Sequence, residues 1–255
     1  MKHRIRGVAR EMFTVRKWLG LAALTTLGGL IITSSPSGPG GDDRVLTALW
    51  LLLVPLAITI GGLAGEAYWS RWLALAAGVA VLPWGTALTV TPTYGHPALP
   101  RLLLLAASLL LLLSLTGRSM FAHYEGRAGN TAWSGRLMGL VRWTIICNIA
   151  SVLSLYLFVV AYDYELAWQF AILASLFGGL VAGVLLLARG RTVGILIVGL
   201  CSACFVPVGG LFVWREATYA GEALLFAAIF LPGVLTAWAS LVAFGKPIWR
   251  FLAAA

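Results

Sequence analysis

The 255-residue chain reads as an all-α integral membrane protein, a bundle of about eight transmembrane helices preceded by a cytoplasmic amphipathic helix at the interface. Three observations predict it. Hydrophobic residues make up 60% of the chain and charged residues 11%, which is more apolar sequence than a soluble core of this size encloses. The apolar runs reach or approach the ~20 residues that carry a helix across about 30 Å of hydrocarbon, and they lack the alternating polar face of a barrel strand. Basic residues gather on alternate connections between the runs, as orientation in a bilayer requires.

The first element is residues 1–17. Ile5, Val8, Met12 and Val15 recur at three- and four-residue steps while Arg6, Arg10 and Lys17 take the opposite face, the pattern of an interfacial helix. It is expected to lie along the headgroups and turn inward at Trp18, with Arg6 and Arg10 meeting anionic lipid or a partner. Its long basic start argues against a cleaved signal peptide. Residues 18–255 then read as one polytopic membrane domain. Its spans are expected at about 18–35, 45–65, 72–91, 98–116, 138–161, 166–188, 193–214 and 223–245, and "SSPSGPGG" after the first is an outside turn.

The charges test that count. With the N-terminus inside, the N-terminal cluster and the connections around 117–136 and 189–192 hold most Lys and Arg, and only Arg44, Arg101 and Arg215 fall outside. A miscounted span would scramble this separation, so both termini are predicted cytoplasmic, in a plasma (inner) membrane. The net charge of +9 follows from the same asymmetry and from anionic headgroups, so no nucleic-acid partner is implied.

Within the spans, Pro55, Pro83, Pro207 and Pro232 each free a backbone carbonyl and bend a helix. Ser175, Gly179 and Gly183, and likewise Gly61 with Gly65, stand four residues apart and offer small-residue faces for a neighbouring helix, a membrane-protein partner or a second copy. Trp18, Trp69, Trp72, Trp143, Trp168, Trp214 and Trp249 fall near the expected interfaces. A four-plus-four division is compatible with the span lengths and would be parallel, and no repeat of residues is visible.

Chemistry is sparse. His3, His96 and His123 all lie in tails or loops, so there is no transmembrane histidine pair for haem and no histidine-based metal centre. No cofactor is expected. No acid falls near a span centre, Asp42 with Asp43 is an outer turn, and no Ser, His and acid share one depth. The connection at 117–136 is the best remaining catalytic candidate, since it gathers His123, Tyr124, Glu125 and Arg127 with Arg136. It reads more simply as contact with a partner or lipid phosphate through His123, Arg127 and Arg136.

The polar residues inside the spans are Arg142, Cys147, Asn148, Gln169, Cys201 and Cys204. Arg142 can snorkel to the interface, Gln169 lies near an outer end, and Asn148 suits a hydrogen bond to a neighbouring helix. Cys147 and Cys201 fall at similar depth if the fifth and seventh spans are neighbours, with Cys204 one turn from Cys201. Such a cluster binds a soft metal ion or cycles as a dithiol; the simpler reading is small residues at a packing seam. Three functions follow. The first is a permease-like transport component for an apolar or amphiphilic substrate. The second is a non-catalytic subunit or assembly factor of a larger membrane complex, and the third is thiol-redox or soft-metal handling through Cys147, Cys201 and Cys204.

Overall fold

A computed structural model describes residues 2–33, 43–90, 98–125, 135–161, 167–188, 193–215 and 220–253. The described residues form helices α1 (Lys2–Thr33), α2 (Asp43–Ala64), α3 (Tyr68–Val90), α4 (Ala98–Leu115), α5 (Arg118–Glu125), α6 (Gly135–Ala161), α7 (Ala167–Ala188), α8 (Val193–Arg215) and α9 (Ala220–Ala253). Among the described residues five stretches are long and apolar enough to cross a membrane: Glu11–Thr33, Tyr68–Val90, Ala98–Leu115, Ala167–Leu186 and Leu196–Trp214. Shorter apolar stretches, Trp50–Ala64 and Phe226–Ser240, lie on α2 and α9. Large apolar side chains such as Leu113, Leu200 and Trp214 point outward, whereas Asn148, Ser151, Ser202 and Thr236 are buried. This inversion of the usual soluble pattern is that of an α-helical membrane protein.

The expected apolar runs correspond in the described residues to α1–α4 and α6–α9, with α9 running past the expected end of its span. Two local expectations change. Lys2–Thr33 is one unbroken helix, so the amphipathic start and the first apolar run share a single element, with no interruption at Trp18. Of its basic face, Lys17 is also engaged by protein groups rather than left to headgroups. Met12 and Val15 are exposed, while Arg16 and Lys17 turn inward to the carbonyls of neighbouring helices. Once a helix has polar partners beside it, apolar groups face the lipid and cations face protein.

The contacts divide the membrane domain into two compact units. The first holds α1, α2, α3 as far as Gly85, α4 and α5, and the second holds α6–α9 with the last residues of α3 from Thr86. In the first unit α1 packs on α2 and α4. Glycine permits the approach, since a Cβ on Gly20 would stand 3.0 Å from Leu115 and one on Gly28 3.1 Å from Leu56. On α3, Gly78 faces Leu112 and Gly85 faces the Leu105 backbone, both on α4.

The second unit is a ring in which α7 and α9 each pack against both α6 and α8. Its inward stripe on α8 is Val198, Ser202, Phe205, Gly209 and Phe212, spaced at three and four residues. Gly209 receives the Phe230 ring and Gly233 receives Phe205, so the aromatic rings fill notches opened by missing side chains. Phe205 meets Phe230 edge-on at 5.9 Å between centroids and Phe212 stacks on it at 5.9 Å.

One correspondence between the units escaped the sequence reading. Pro83-Trp84-Gly85 on α3 and Pro207-Val208-Gly209 on α8 place the same Pro-x-Gly in the third long helix of each unit. In both, the glycine admits the next long helix, Leu105 of α4 or Phe230 of α9. Residue by residue the helices otherwise differ, so only the packing exposes the match.

Candidate functional site

The densest polar constellation lies in the first unit, where α1, the α2–α3 turn and the α4–α5 turn meet. A helix ends with four carbonyls that lack intrahelical partners, and here two helices end side by side. For α2, the amide of Gly65 bonds the Gly61 carbonyl at 2.9 Å and that of Ala67 bonds Gly62 at 2.8 Å. The Tyr124 hydroxyl donates to Leu63 at 3.2 Å and Lys17 Nζ donates to Ala64 at 2.8 Å. For α4, the Thr116 amide takes Leu112 at 3.0 Å, Arg16 takes Leu113 and Ser114 at 2.9 Å each, and Arg71 Nε takes Leu115 at 2.8 Å. Arg16 also donates to the Thr116 carbonyl and, at 3.3 Å, to the Ser119 hydroxyl. All eight terminal carbonyls are thereby satisfied, with cations on the negative ends of two helix dipoles.

Glu66 sits at the centre of this knot. Its backbone adopts φ 59°, a left-handed conformation that a non-glycine residue enters at some cost. Oε1 pairs with Lys17 Nζ at 3.0 Å and Oε2 with His123 Nε2 at 2.8 Å. The hydrogen bond from His123, then that from Lys17, hold the carboxyl down at about 2. It therefore stays an anion. Tyr124 is buried, and burial first, with the Glu66 charge second, pushes its phenol up to about 12. It stays a neutral donor. Phe13 lies over His123 with centroids 3.7 Å apart, fixing the ring beside the carboxylate. The knot can hold helix ends in register; its cations are already engaged by carbonyls and by Glu66.

The thiols lie in the second unit. Cys147, on α6, is buried, Cys201 on α8 is half-buried and Cys204 exposed, and all three are free. Among the described residues no three His, Cys, Asp or Glu side chains gather closely enough to hold a metal ion together. The physical reason is the ring order, in which α7 and α9 are the packing partners of α6 and of α8. Cys201 instead directs its Sγ at Gly179 of α7, and Gly183 receives Val198. The small-residue face Gly179 and Gly183 is thus the α7–α8 seam. The other expected seam is displaced: Gly61 faces open space, Gly65 lies in the turn, and Gly62 admits Trp69 and Ser70. Beside the α7–α8 seam an open apolar groove of about 480 Å³ is lined by Ala171, Ile172, Ser175, Leu200, Cys201 and Cys204, among others.

Of the other expected residues, Asn148 is fully buried and its Nδ2 donates to the Leu180 carbonyl on α7 at 3.3 Å. Gln169 is buried and Arg142 partly exposed. Pro55, Pro83, Pro207 and Pro232 all lie within helices. Arg6 and Arg10 fall on α1 and Arg136 on the first turn of α6, while Arg127 lies outside the described residues. His123 is on α5, turned to Glu66 and Phe13 rather than held in an open loop. Sequence reasoning missed Arg16, Lys17, Glu66 and Arg71 as a set; the available signal was a lone acid at a span end among basic residues.

No family model matches the chain, and no curated protein or solved structure matches it either.

Proposed function

We propose that the chain is a permease-like transport component for an apolar or amphiphilic substrate in the plasma membrane. In this reading α1–α4 and α6–α9 make eight crossings with both termini in the cytoplasm, consistent with the distribution of Lys and Arg. The observation that carries the substrate class is the open apolar groove on α7 and α8, near Pro207 inside α8. It offers an apolar chain a lateral seat, with the Ser175 hydroxyl and two thiols as its polar contacts. The test is transbilayer movement of a fluorescent short-chain phospholipid in vesicles containing the purified protein. Acceleration that Ser175→Trp and Val208→Trp abolish supports the reading; movement equal to that in protein-free vesicles refutes it.

A second reading is a subunit or assembly factor. It is favoured by Gly61, Gly178, Gly199 and Gly210, where a Cβ would meet nothing within 4 Å, leaving flat faces for another membrane helix. Co-purification of a stoichiometric membrane protein, lost on Gly178→Leu, separates this reading from the first.

A further inference from the structure

The second unit buries more hydrogen-bonding capacity than its own packing uses. Thr144, Asn148, Ser151 and Ser154 recur along the inward face of α6, and Thr236 and Ser240 stand one turn apart on α9. Ser202 lies on the inward stripe of α8, flanked there by buried Val198 and Phe205.

The contacts place these residues at neighbouring levels. Gly179 meets Cys201 and Gly183 meets Val198, so α7 and α8 run antiparallel; Gly209 meets Phe230 and Phe205 meets Gly233, so α8 and α9 do too. Three residues back along α8 from Phe205, Ser202 therefore comes level with Thr236. Ser151 is at the same level, its Oγ 3.1 Å from Thr236 Oγ1. Asn148 and Ser240 lie about one turn to one side of this layer and Ser154 about one turn to the other, a polar file of roughly 9 Å.

Counting protons shows what the file lacks. Ser151 donates to the Cys147 carbonyl at 2.8 Å and Thr236 to the Pro232 carbonyl at 2.8 Å. Each hydroxyl has one proton, so Ser151 and Thr236 cannot fill both backbone bonds and the 3.1 Å bond between their own oxygens at once, and whichever donates across the pair leaves its backbone carbonyl short. Among the described residues Asn148 Oδ1 and the hydroxyls of Ser154, Ser202 and Ser240 find no hydrogen-bond partner, and each residue is more than nine-tenths buried. Unpartnered polar atoms in an apolar interior are costly, and ordered water or a ligand normally supplies what they lack. The span regions of these four helices carry no Asp, Glu, Lys or His, and their one Arg, Arg142, lies near the start of α6. The complementary molecule is therefore neutral.

We propose that the centre of the α6–α9 unit is a hydrated polar file that binds a small neutral hydrogen-bonding molecule, water or a hydroxylated solute. This file lies on the inward faces, separate from the groove outside α7 and α8. The site uses hydroxyl and amide oxygens as acceptors and serine hydroxyls as reorienting donors.

The native probe is Cys147, which shares the inward face of α6. In the full chain carrying Cys201→Ala and Cys204→Ala, in phosphatidylcholine–phosphatidylglycerol vesicles, Cys147 is treated with a water-borne methanethiosulfonate and separately with a lipid-soluble maleimide. The reference is Leu200→Cys in a variant with all three native cysteines replaced by alanine, its thiol on the outer face of α8. Thiolate formation needs water at the sulfur, so the file predicts at least about ten-fold faster water-borne labelling at Cys147 than at Leu200→Cys. Glycerol that slows this labelling identifies a hydroxylated solute as a ligand; labelling indifferent to glycerol, with faster osmotic shrinkage than Ser202→Val vesicles show, identifies water. Reaction of Cys147 with the lipid-soluble reagent alone, in protein that elutes and melts like the parent, overturns the proposal.

Discussion

Replacing Arg16 by alanine removes the guanidinium that Leu113, Ser114 and Thr116 share, and the loss can be sized from its geometry. Two of the bonds are 2.9 Å long, to Leu113 and Ser114, and Arg16 is partly exposed, so water replaces some of what is lost. Counting only the part-buried bond to Ser114, about 1.5 kcal/mol at the low end for a charged donor, leaves a conservative base. The cation on the helix C-terminus adds about 0.5–1 kcal/mol. Arg16→Ala should therefore destabilise by about 2–2.5 kcal/mol. Lysine restores the charge but not the fork, so Arg16→Lys should recover only the dipole share. Gly117 supplies an internal control. At φ 110° alanine is strained there whatever its surroundings, and its Cβ would stand 3.3 Å from Arg16 Nη1. Part of the Gly117→Ala penalty should thus vanish in the Arg16→Ala background. The assay is reversible unfolding of the purified full-length chain in mixed detergent micelles. An Arg16→Ala protein within about 0.5 kcal/mol of the parent, or a lysine variant equal to it, would refute the capping argument.

Glu66 titrates near 2 in the folded chain against an ordinary 4.5, so its pairing stabilises the fold above 4.5 and that contribution disappears as the pH falls toward 2. Unfolding of Glu66→Gln should accordingly be flatter than the parent across this window; parallel curves would show that the carboxylate carries no acid sensitivity. Gly179→Val should destabilise by about 1–3 kcal/mol through Cys201, and Cys201→Ala should return much of the loss. An unrescued double variant places the strain elsewhere. The Ser151–Thr236 contact should give a coupling of about 0.6 kcal/mol in a cycle of Ser151→Ala and Thr236→Val, and additivity of the two would remove it. Maleimide should label Cys204 without prior reduction, and labelling that appears only after reduction would contradict a free thiol.

The helical class and the positions of the long helices were legible because hydrocarbon imposes a length and a composition on every crossing element. Proline positions and the Gly179–Gly183 seam were legible for related reasons, as backbone chemistry and side-chain size are local. Partnerships were not. Lys17, Glu66 and His123 meet across separations of 49 and 57 residues, and no local pattern couples them. The amphipathic start illustrates the same gap: its stripe was readable, but which side faces protein depends on carbonyls contributed by α2 and α4. Cys147 and Cys201 were matched for depth along their helices, yet depth fixes one coordinate only. The order of helices around the ring fixes the other, and it set Cys201 against glycine.

Apart from the last residues of α3, which belong with the second unit, each unit draws its helices from one side of the stretch between α5 and α6. Severing the gene there would give two messages, each encoding a piece with an even number of long helices. Either piece would then carry most of its own helix pairs with it. The same arrangement permits translation to proceed by halves, the first unit closing its carbonyl-capped corner while the second is still on the ribosome.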